Sequence, residues 1–543
     1  MNISRRKTVS KRERKARKFQ KKARKLQKQK CKQKKNPLRR KKLTAEQKKR
    51  RSEQIIQQKE LKQKRKKLSK DKNCTEEIDK VQSMLNKIFN PEILNQIARS
   101  TGFIKRHSEI TAFSFMYIMS FGFLGNGEIA LTYLVTGLRT HFNVIITPQA
   151  LSKRINSVSS VKYLKAVFIK LIGVQFKIGF KNSFSQLFPE FSGIYLHDSS
   201  QITLNESLSN DFKGNGGGAS KSALKLDFIY DIANVLVHGI KISSSTVNDK
   251  IHSKEILKYI KPKSLIIRDL GYFSIAILKK IQENAAYYLS RLSISTNVYL
   301  NKGDVNPLNV PEFLQKLHNE GKDLSNIRIY IGKEERFESR LIAEKVPAHV
   351  SSQRTNRFKK DRKKEPSQYY VDWIGFTIFI TNIPENMFSS KIIINLYKIR
   401  WQIELLFCNL KLNIEIDIIK GKSKNRVESL VYGKLITIVV IFIIQNYASY
   451  IAKDKEISGD KVVKLLKADN LLREAIIKND LCMLLIVLQH DILLVCKQKR
   501  TRETTYESLK KMLADEPNRK KSIICLDVNV NDIIEENHFQ EVV

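Results

Sequence analysis

Between residues 193 and 295, short β-branched and apolar runs alternate with turns and one helix, and two of the runs lead into an aspartate. GIYLHDSS (193–200) carries Asp198, and SLIIRDLGYF (264–273) carries Asp269 followed by a glycine. ALKLDFIYDIANVLVHGIKISSS (223–245) reads as two strands with a turn near Asn234. Ser274–Asn284 has helical spacing, and AAYYLSRLSIS returns to strand. Strands, then a helix, then a strand again predict an α/β fold with a mixed sheet. Acids at strand ends in such a sheet can converge on one point, as ligand sites do at the carboxyl edges of α/β sheets.

Around this core the texture divides the chain into domains. Residues 300–390 are β-rich, with RIYIG, RFESRLIAEKV and YYVDWIGFTIFITNI, interrupted by a strongly basic loop, RTNRFKKDRKKE (354–365). Upstream, over about 80–180, apolar residues recur at helical spacing, which predicts an all-helical domain. Within it, Glu128–Leu138 and Pro148–Ile155 form a helix pair, with Thr147 as cap and Pro148 at the first helical position. Gln149, Lys153 and Arg154 would project from the second helix; both a DNA-binding helix-turn-helix and two ordinary packed helices fit. The region 451–543 is mainly helical, with basic surface at Lys497–Arg502. The run LITIVVIFII (435–444) is ten residues long before Gln445 and Asn446, about half of a membrane span, so it reads as a buried core helix and no membrane partner is expected.

Charge identifies the class of partner. The formal net charge is +47, and residues 1–72 hold 34 Lys or Arg against 5 Asp or Glu, which is +29 of it. A segment so poor in large apolar residues cannot offset its ordering entropy, so 1–75 is expected to be a disordered basic arm. Its functional reading is counterion release from DNA or RNA; its bland one is a solubilising or targeting tail. Six cysteines without Cys-x-x-Cys or zinc spacing predict free thiols in a reducing compartment. GNGGG (214–218) fails the nucleotide-loop pattern and implies no ATP. His197 is expected to alternate to the face opposite Asp198, and Ser199 and Ser200 have no nucleophile partners.

A helix beginning near Lys391 contains YKIRWQIELLFCNLK (397–411). At about 100° per residue, Tyr397, Arg400, Glu404 and Lys411 share a sector of roughly 60°. An apolar stripe of Leu396, Ile399, Ile403, Leu406, Phe407, Leu410 and Ile414 runs beside it. Alone, the polar edge reads as salt-bridging surface. With Asp198 and Asp269 it offers three carboxylates, hard oxygen ligands for Mg²⁺ or Mn²⁺. Two such ions about 3.5–4 Å apart would serve phosphodiester chemistry.

The spacing Tyr-x₂-Arg-x₃-Glu-x₆-Lys at 397, 400, 404 and 411 resembles the signature of the DDE transposases of bacterial insertion sequences, in the family numbered four. ASKSALKLDF, RDLGYF and ITNIP are similar to that family too, and the resemblance spans roughly residues 85–450. It implies a ribonuclease H-like catalytic core over 190–450, with a β-rich insertion at about 300–390. It implies Asp198, Asp269 and Glu404 as catalytic metal ligands. It also implies Tyr397, Arg400 and Lys411 as contacts to the phosphates of double-stranded DNA at transposon ends, with two Mg²⁺ or Mn²⁺ ions as cofactors. Trp401 matches a residue near a flipped base in some relatives, while core packing is its other reading. Leu270 departs from the Arg or Ala usual after the second acid. A synaptic homodimer, with C-terminal helices after about 450 as contact, and a cytoplasmic, nucleoid-associated location follow from the resemblance. The competing expectations are a non-catalytic nucleic-acid-binding protein derived from a transposase and, on the arm alone, an RNA-associated factor.

Overall fold

The computed structural model describes residues 76–515 except 123, 125–129, 176–182, 218, 323, 453–454 and 497–502. The basic arm, Glu128 and the basic surface at Lys497–Arg502 therefore lie outside the described residues.

The strands are β1 (Gly193–Thr203), β2 (Ala223–Asp231), β3 (Leu236–Ser244), β4 (Ser264–Arg268), β5 (Tyr287–Arg291), β6 (Val298–Tyr299), β7 (Leu324–Ile331), β8 (Phe337–Lys345) and β9 (Phe376–Thr381). They form one nine-stranded sheet in the order β3-β2-β1-β4-β5-β9-β8-β7-β6. β1, β2 and β3 are an antiparallel meander, while β1, β4 and β5 run parallel. A meander followed by parallel strands added on its first strand is the ribonuclease H-like arrangement. The β2–β3 turn falls where the sequence puts it. Asp231 Oδ1 accepts from the backbone N–H of Ile194 and Ala233 at 3.0 Å, which ties the turn to β1.

Side chains alternate between the two faces of a strand, and here each face has its own core. Ile194 and Leu196 of β1 and Leu265 and Ile267 of β4 pack with the helices of 76–175 and 390–513. Tyr195 and Ile266 face the opposite core, with Leu278 and Ile281 of the Ile275–Glu283 helix and the apolar residues of the insertion. β1 does not stop at the acid. It continues to Thr203, because residues 199–203 go on pairing with β2 after the β4 pairing ends at His197.

The insertion lengthens the sheet instead of forming a separate one. β9 pairs antiparallel with β5, Leu289 opposite Thr381, and β8, β7 and β6 follow outward. The basic stretch predicted as a loop is mostly helix, Ala348–Arg362. No glycine or proline interrupts those positions, and none of its residues is buried, so its like charges stay solvated. Arg354 fixes it to the sheet edge, donating to the carbonyls of Ile374 at 2.9 Å and Phe376 at 3.1 Å.

The Lys424–Ile451 helix is long and apolar enough to cross a membrane, yet 89% of its apolar window is buried within the chain, as a core helix requires. It crosses the Ala112–Ser120 helix at Gly433, where a Cβ would strike the Met119 carbonyl oxygen at 2.2 Å. In the helix pair, the first helix starts at Leu131 and the second is capped as predicted, Ala150 N–H donating to Thr147 at 3.2 Å. Arg154 does not project. It donates to the Phe103 carbonyl at 3.0 Å and to Ser108 Oγ at 2.6 Å, while Gln149 and Lys153 remain exposed. Past 451, Val462, Leu466, Leu472, Ile476 and Leu485 are spent on the shared core. Cys408 and Cys496 are free thiols, whereas Cys482 is disulfide-bonded, against the expectation that every thiol is free.

Candidate active site

Strand register brings the two aspartates together. His197 of β1 pairs with Arg268 of the parallel neighbour β4, and each acid is the next residue. Alternation then turns both Asp198 and Asp269 toward the face carrying Leu196 and Ile267, under the 390–414 helical segment. Asp198 Oδ1 accepts the Ser199 N–H at 2.8 Å. Asp269 opens the turn Leu270–Tyr272.

The segment above is less regular than one helix. It runs as α-helix Ser390–Tyr397, a 3₁₀ turn Lys398–Arg400, α-helix Trp401–Asn409 and a π turn Leu410–Ile414. The apolar stripe packs as predicted: Leu396, Ile399, Ile403, Phe407, Leu410 and Ile414 are buried, and Leu406 is half-buried. Phe407 meets Phe228 of β2 edge-to-face at 5.4 Å, and Tyr397 lies 4.7 Å from Phe379 of β9. These contacts lay the segment across the sheet and hold its polar edge over the acids.

Arg400 joins that edge to the strands. Its guanidinium donates to Glu404 Oε1 at 2.6 Å and lies 3.8 Å from Asp198 Oδ2. Tyr397 Oη reaches the Arg268 carbonyl at 3.5 Å, one residue before Asp269. Burial pushes the Asp198 carboxyl up to about 6; the Ser199 N–H and Arg400 hold it down, and Asp269 and Glu404 raise it further. Burial also raises the Tyr397 phenol to about 12, against the pull of Arg400. Five of the seven sequence candidates thus share one electrostatic neighbourhood.

The other two are Lys411 and Trp401. Lys411 sits in the π turn, and no hydrogen bond or ion pair among the described residues joins it to the acids. The extra residue per turn changes the angle that a regular helix assigns it. Trp401 is 54% exposed, so the core-packing reading fails for it. Trp373 does pack, buried in the insertion 6.1 Å from the Tyr369 ring.

A buried polar cluster on the opposite face was not predicted. His197 is turned away from Asp198, and its Nε2 lies 2.7 Å from Asp227 Oδ1. Tyr272 donates to Asp227 Oδ2 at 2.6 Å, and His252 Nδ1 is 3.3 Å from the same oxygen without a hydrogen bond. Burial lowers the His197 pKa, and the Asp227 carboxyl lies below its usual range: burial opposes this, but His197 and Tyr272 outweigh it. His197 is therefore neutral and donates through Nε2, which leaves its buried Nδ1 without a partner. The available signal was Asp227 itself, a charged residue in the middle of a strand buried along its whole length.

Paired aspartates at the edge of a ribonuclease H-like sheet, with a glutamate on a helix above, define a class of nucleic-acid-processing enzyme. Residues 189–440 match the family described as Transposase DDE domain. The chain is 29% identical over 384 residues to the transposase for insertion sequence element IS231F of Bacillus thuringiensis subsp. israelensis, covering 67% of this chain and 79% of that one. It is also 29% identical over 368 residues to the transposase for insertion sequence element IS1151 of Clostridium perfringens, covering 65% and 77%. A piggyBac transposase synaptic complex with hairpin DNA superposes at a TM-score of 0.39 with 11% identity, over 82% of this chain and 90% of that one. Over the matched residues the chain is similar to the DDE transposases of bacterial insertion sequences.

Proposed function

We propose that the chain binds the ends of its own insertion sequence and cuts and joins DNA there, with Asp198, Asp269 and Glu404 as ligands of two divalent ions. DNA transposition is the activity of the family, and the enzyme acts by DNA strand cleavage and transfer. Acting on bacterial DNA places that work in the cytoplasm. The observation that carries the site assignment is the register of β1 on β4, which sets the two aspartates side by side beneath Glu404 and Arg400.

The donor set fits Mg²⁺ or Mn²⁺, because all three groups offer hard carboxylate oxygens. Asp269 and Glu404 each push the Asp198 pKa up, a repulsion that a cation relieves. Among the described residues, no three His, Cys, Asp or Glu side chains already surround one point. Arg400 stands between Asp198 and Glu404 and supplies the positive charge there, so it must swing aside to admit an ion. Two bound ions supply activation of the attacking oxygen and stabilisation of the leaving one.

The chain's own residues then position DNA. Arg400, released from the acids, presents a planar fork suited to a phosphate. Tyr397 offers a phenol that burial keeps protonated, hence a donor. Trp401 exposes a ring on which an unstacked base can rest. Lys411 adds charge further along the backbone, and a dimer bridging two ends would let the element move as one unit. The test is a DNA fragment bearing the element's two ends, incubated with the full chain. Nicks at the end junctions with Mg²⁺ or Mn²⁺, and none with a chelator, are expected; cleavage that persists in chelator overturns the metal reading.

A further inference from the structure

We propose that Asp227, buried beneath the sheet, is the positioning residue that fixes Asp198 and Asp269 at the separation at which they share a divalent ion. The inference rests on the two-ion reading of the site and names a group that touches neither metal nor DNA.

Asp227 lies on β2 opposite Ser199, with its side chain on the face away from the acids. One of its oxygens takes His197, the residue before Asp198. The other takes Tyr272, three residues after Asp269 and at the end of the turn that Asp269 opens. A single carboxylate therefore grips both acid-bearing segments, which come from strands far apart in sequence. The grip is reinforced on both sides. Ser199 Oγ donates to Asp249 Oδ1 at 3.3 Å, and Lys225 Nζ, itself buried, donates to the same oxygen at 2.8 Å. Arg268, the residue before Asp269, donates to the Ser253 carbonyl at 3.0 Å and to its Oγ at 2.7 Å, while Ser253 Oγ donates to the Tyr272 carbonyl at 2.9 Å.

The consequence follows from strand geometry. His197 and Ser199 are pinned on the buried face, and Asp198 between them has no choice but to project from the other. The β1–β4 ladder brings the strands together as far as His197 and Arg268 and ends one residue short of the acids, so no ladder pair joins Asp198 to Asp269 directly. Asp227 closes that gap with two short hydrogen bonds. A carboxylate is required, because it accepts two donors at once without offering a proton of its own. Partners of this kind tune ligand orientation, and losing one typically costs about tenfold or more in metal affinity.

The test uses the full chain and two variants, Asp227→Asn and Tyr272→Phe, the second removing only the hydroxyl on the Asp269 side. Mn²⁺ binding is measured by titration calorimetry, DNA binding by gel shift, folding by thermal unfolding in chelator, and end cleavage across a range of Mg²⁺ concentrations. The expected result is a rise of about tenfold in the Mn²⁺ dissociation constant for Tyr272→Phe, and at least that for Asp227→Asn, with DNA binding unchanged. Cleavage lost at limiting Mg²⁺ returns at high Mg²⁺, a rescue that a merely weakened fold does not give. Mn²⁺ affinity within twofold of the parent in folded Asp227→Asn overturns the proposal. If Asp227→Asn fails to fold, Tyr272→Phe decides it by the same criterion. A parent chain that cleaves no DNA and binds no Mn²⁺ sinks the two-ion reading itself, whereas a parent that does both beside unchanged variants sinks only the role of Asp227.

Discussion

Asp198 and Trp401 carry the clearest consequences at the scale of single residues. The Asp198 carboxyl titrates near 6 in the fold, above the 3.8 of the unfolded chain, chiefly because burial penalises its charge. A raised folded pKa means that the proton stabilises the native state. That stabilisation is complete below the unfolded value and is lost as pH rises through about 6. In chelator, Asp198→Asn is therefore expected to be more stable than the parent at pH 7.5, by about 1–2 kcal/mol, with the gap closing towards pH 4. Thermal unfolding at the two pH values checks this, and a destabilised variant at pH 7.5 contradicts it. Trp401 was open between core and DNA in the sequence, since its place beside the apolar stripe fits either. Its exposure decides for the surface. Trp401→Ala should leave the unfolding temperature nearly unchanged while weakening binding of the cleaved end by about 1–3 kcal/mol. A large loss of stability with unaltered DNA binding would restore the packing role.

Elements were legible where the period was local. β1, β4 and the apolar stripe of 396–414 follow from alternation and helical spacing, and the Thr147 cap from one residue type at one position. Three features were not. The 3₁₀ and π turns in the 390–414 segment interrupt the single helical period on which the angular projection of Tyr397, Arg400, Glu404 and Lys411 rests. Arg154 has the spacing of a projecting residue, but its anchor at Phe103 and Ser108 is some fifty residues away in sequence. The Ala348–Arg362 helix was hidden by its charge, which resembles a loop in composition although no glycine or proline breaks it. Fixed to the sheet edge by Arg354 and packed on Tyr370 through Phe358, it leaves Arg357 and Lys360 exposed as cations for a phosphate backbone. Reversing Arg357, Lys360 and Lys363 to Glu should lower DNA affinity and flatten its dependence on salt, by up to about 3 in the log–log slope. Equal slopes for parent and variant in a salt series would show that this helix does not meet DNA.

At the scale of the whole molecule, the sheet is the instrument that assembles the site. The acid-bearing segments are separated by seventy residues or more, and each gains meaning from a register that only the folded sheet supplies. The residue types were readable in the sequence, and the family resemblance proposed which of them act together. Asp227 was not readable in that way, because its two partners come from different strands and turns and no local period links them. The excess of positive charge, more than half of it in the first 72 residues, suits a polyanionic substrate and leaves the acid cluster as the local exception. That contrast frames the decisive measurement, which is metal-dependent end cleavage and DNA binding by Glu404→Gln beside the parent. Loss of a single ligand carboxylate is predicted to reduce Mg²⁺-dependent cleavage by at least about a hundredfold while binding of end DNA is kept. Cleavage at the parent's rate by a variant that still binds DNA would contradict the assignment of Glu404 and, with it, the three-carboxylate site.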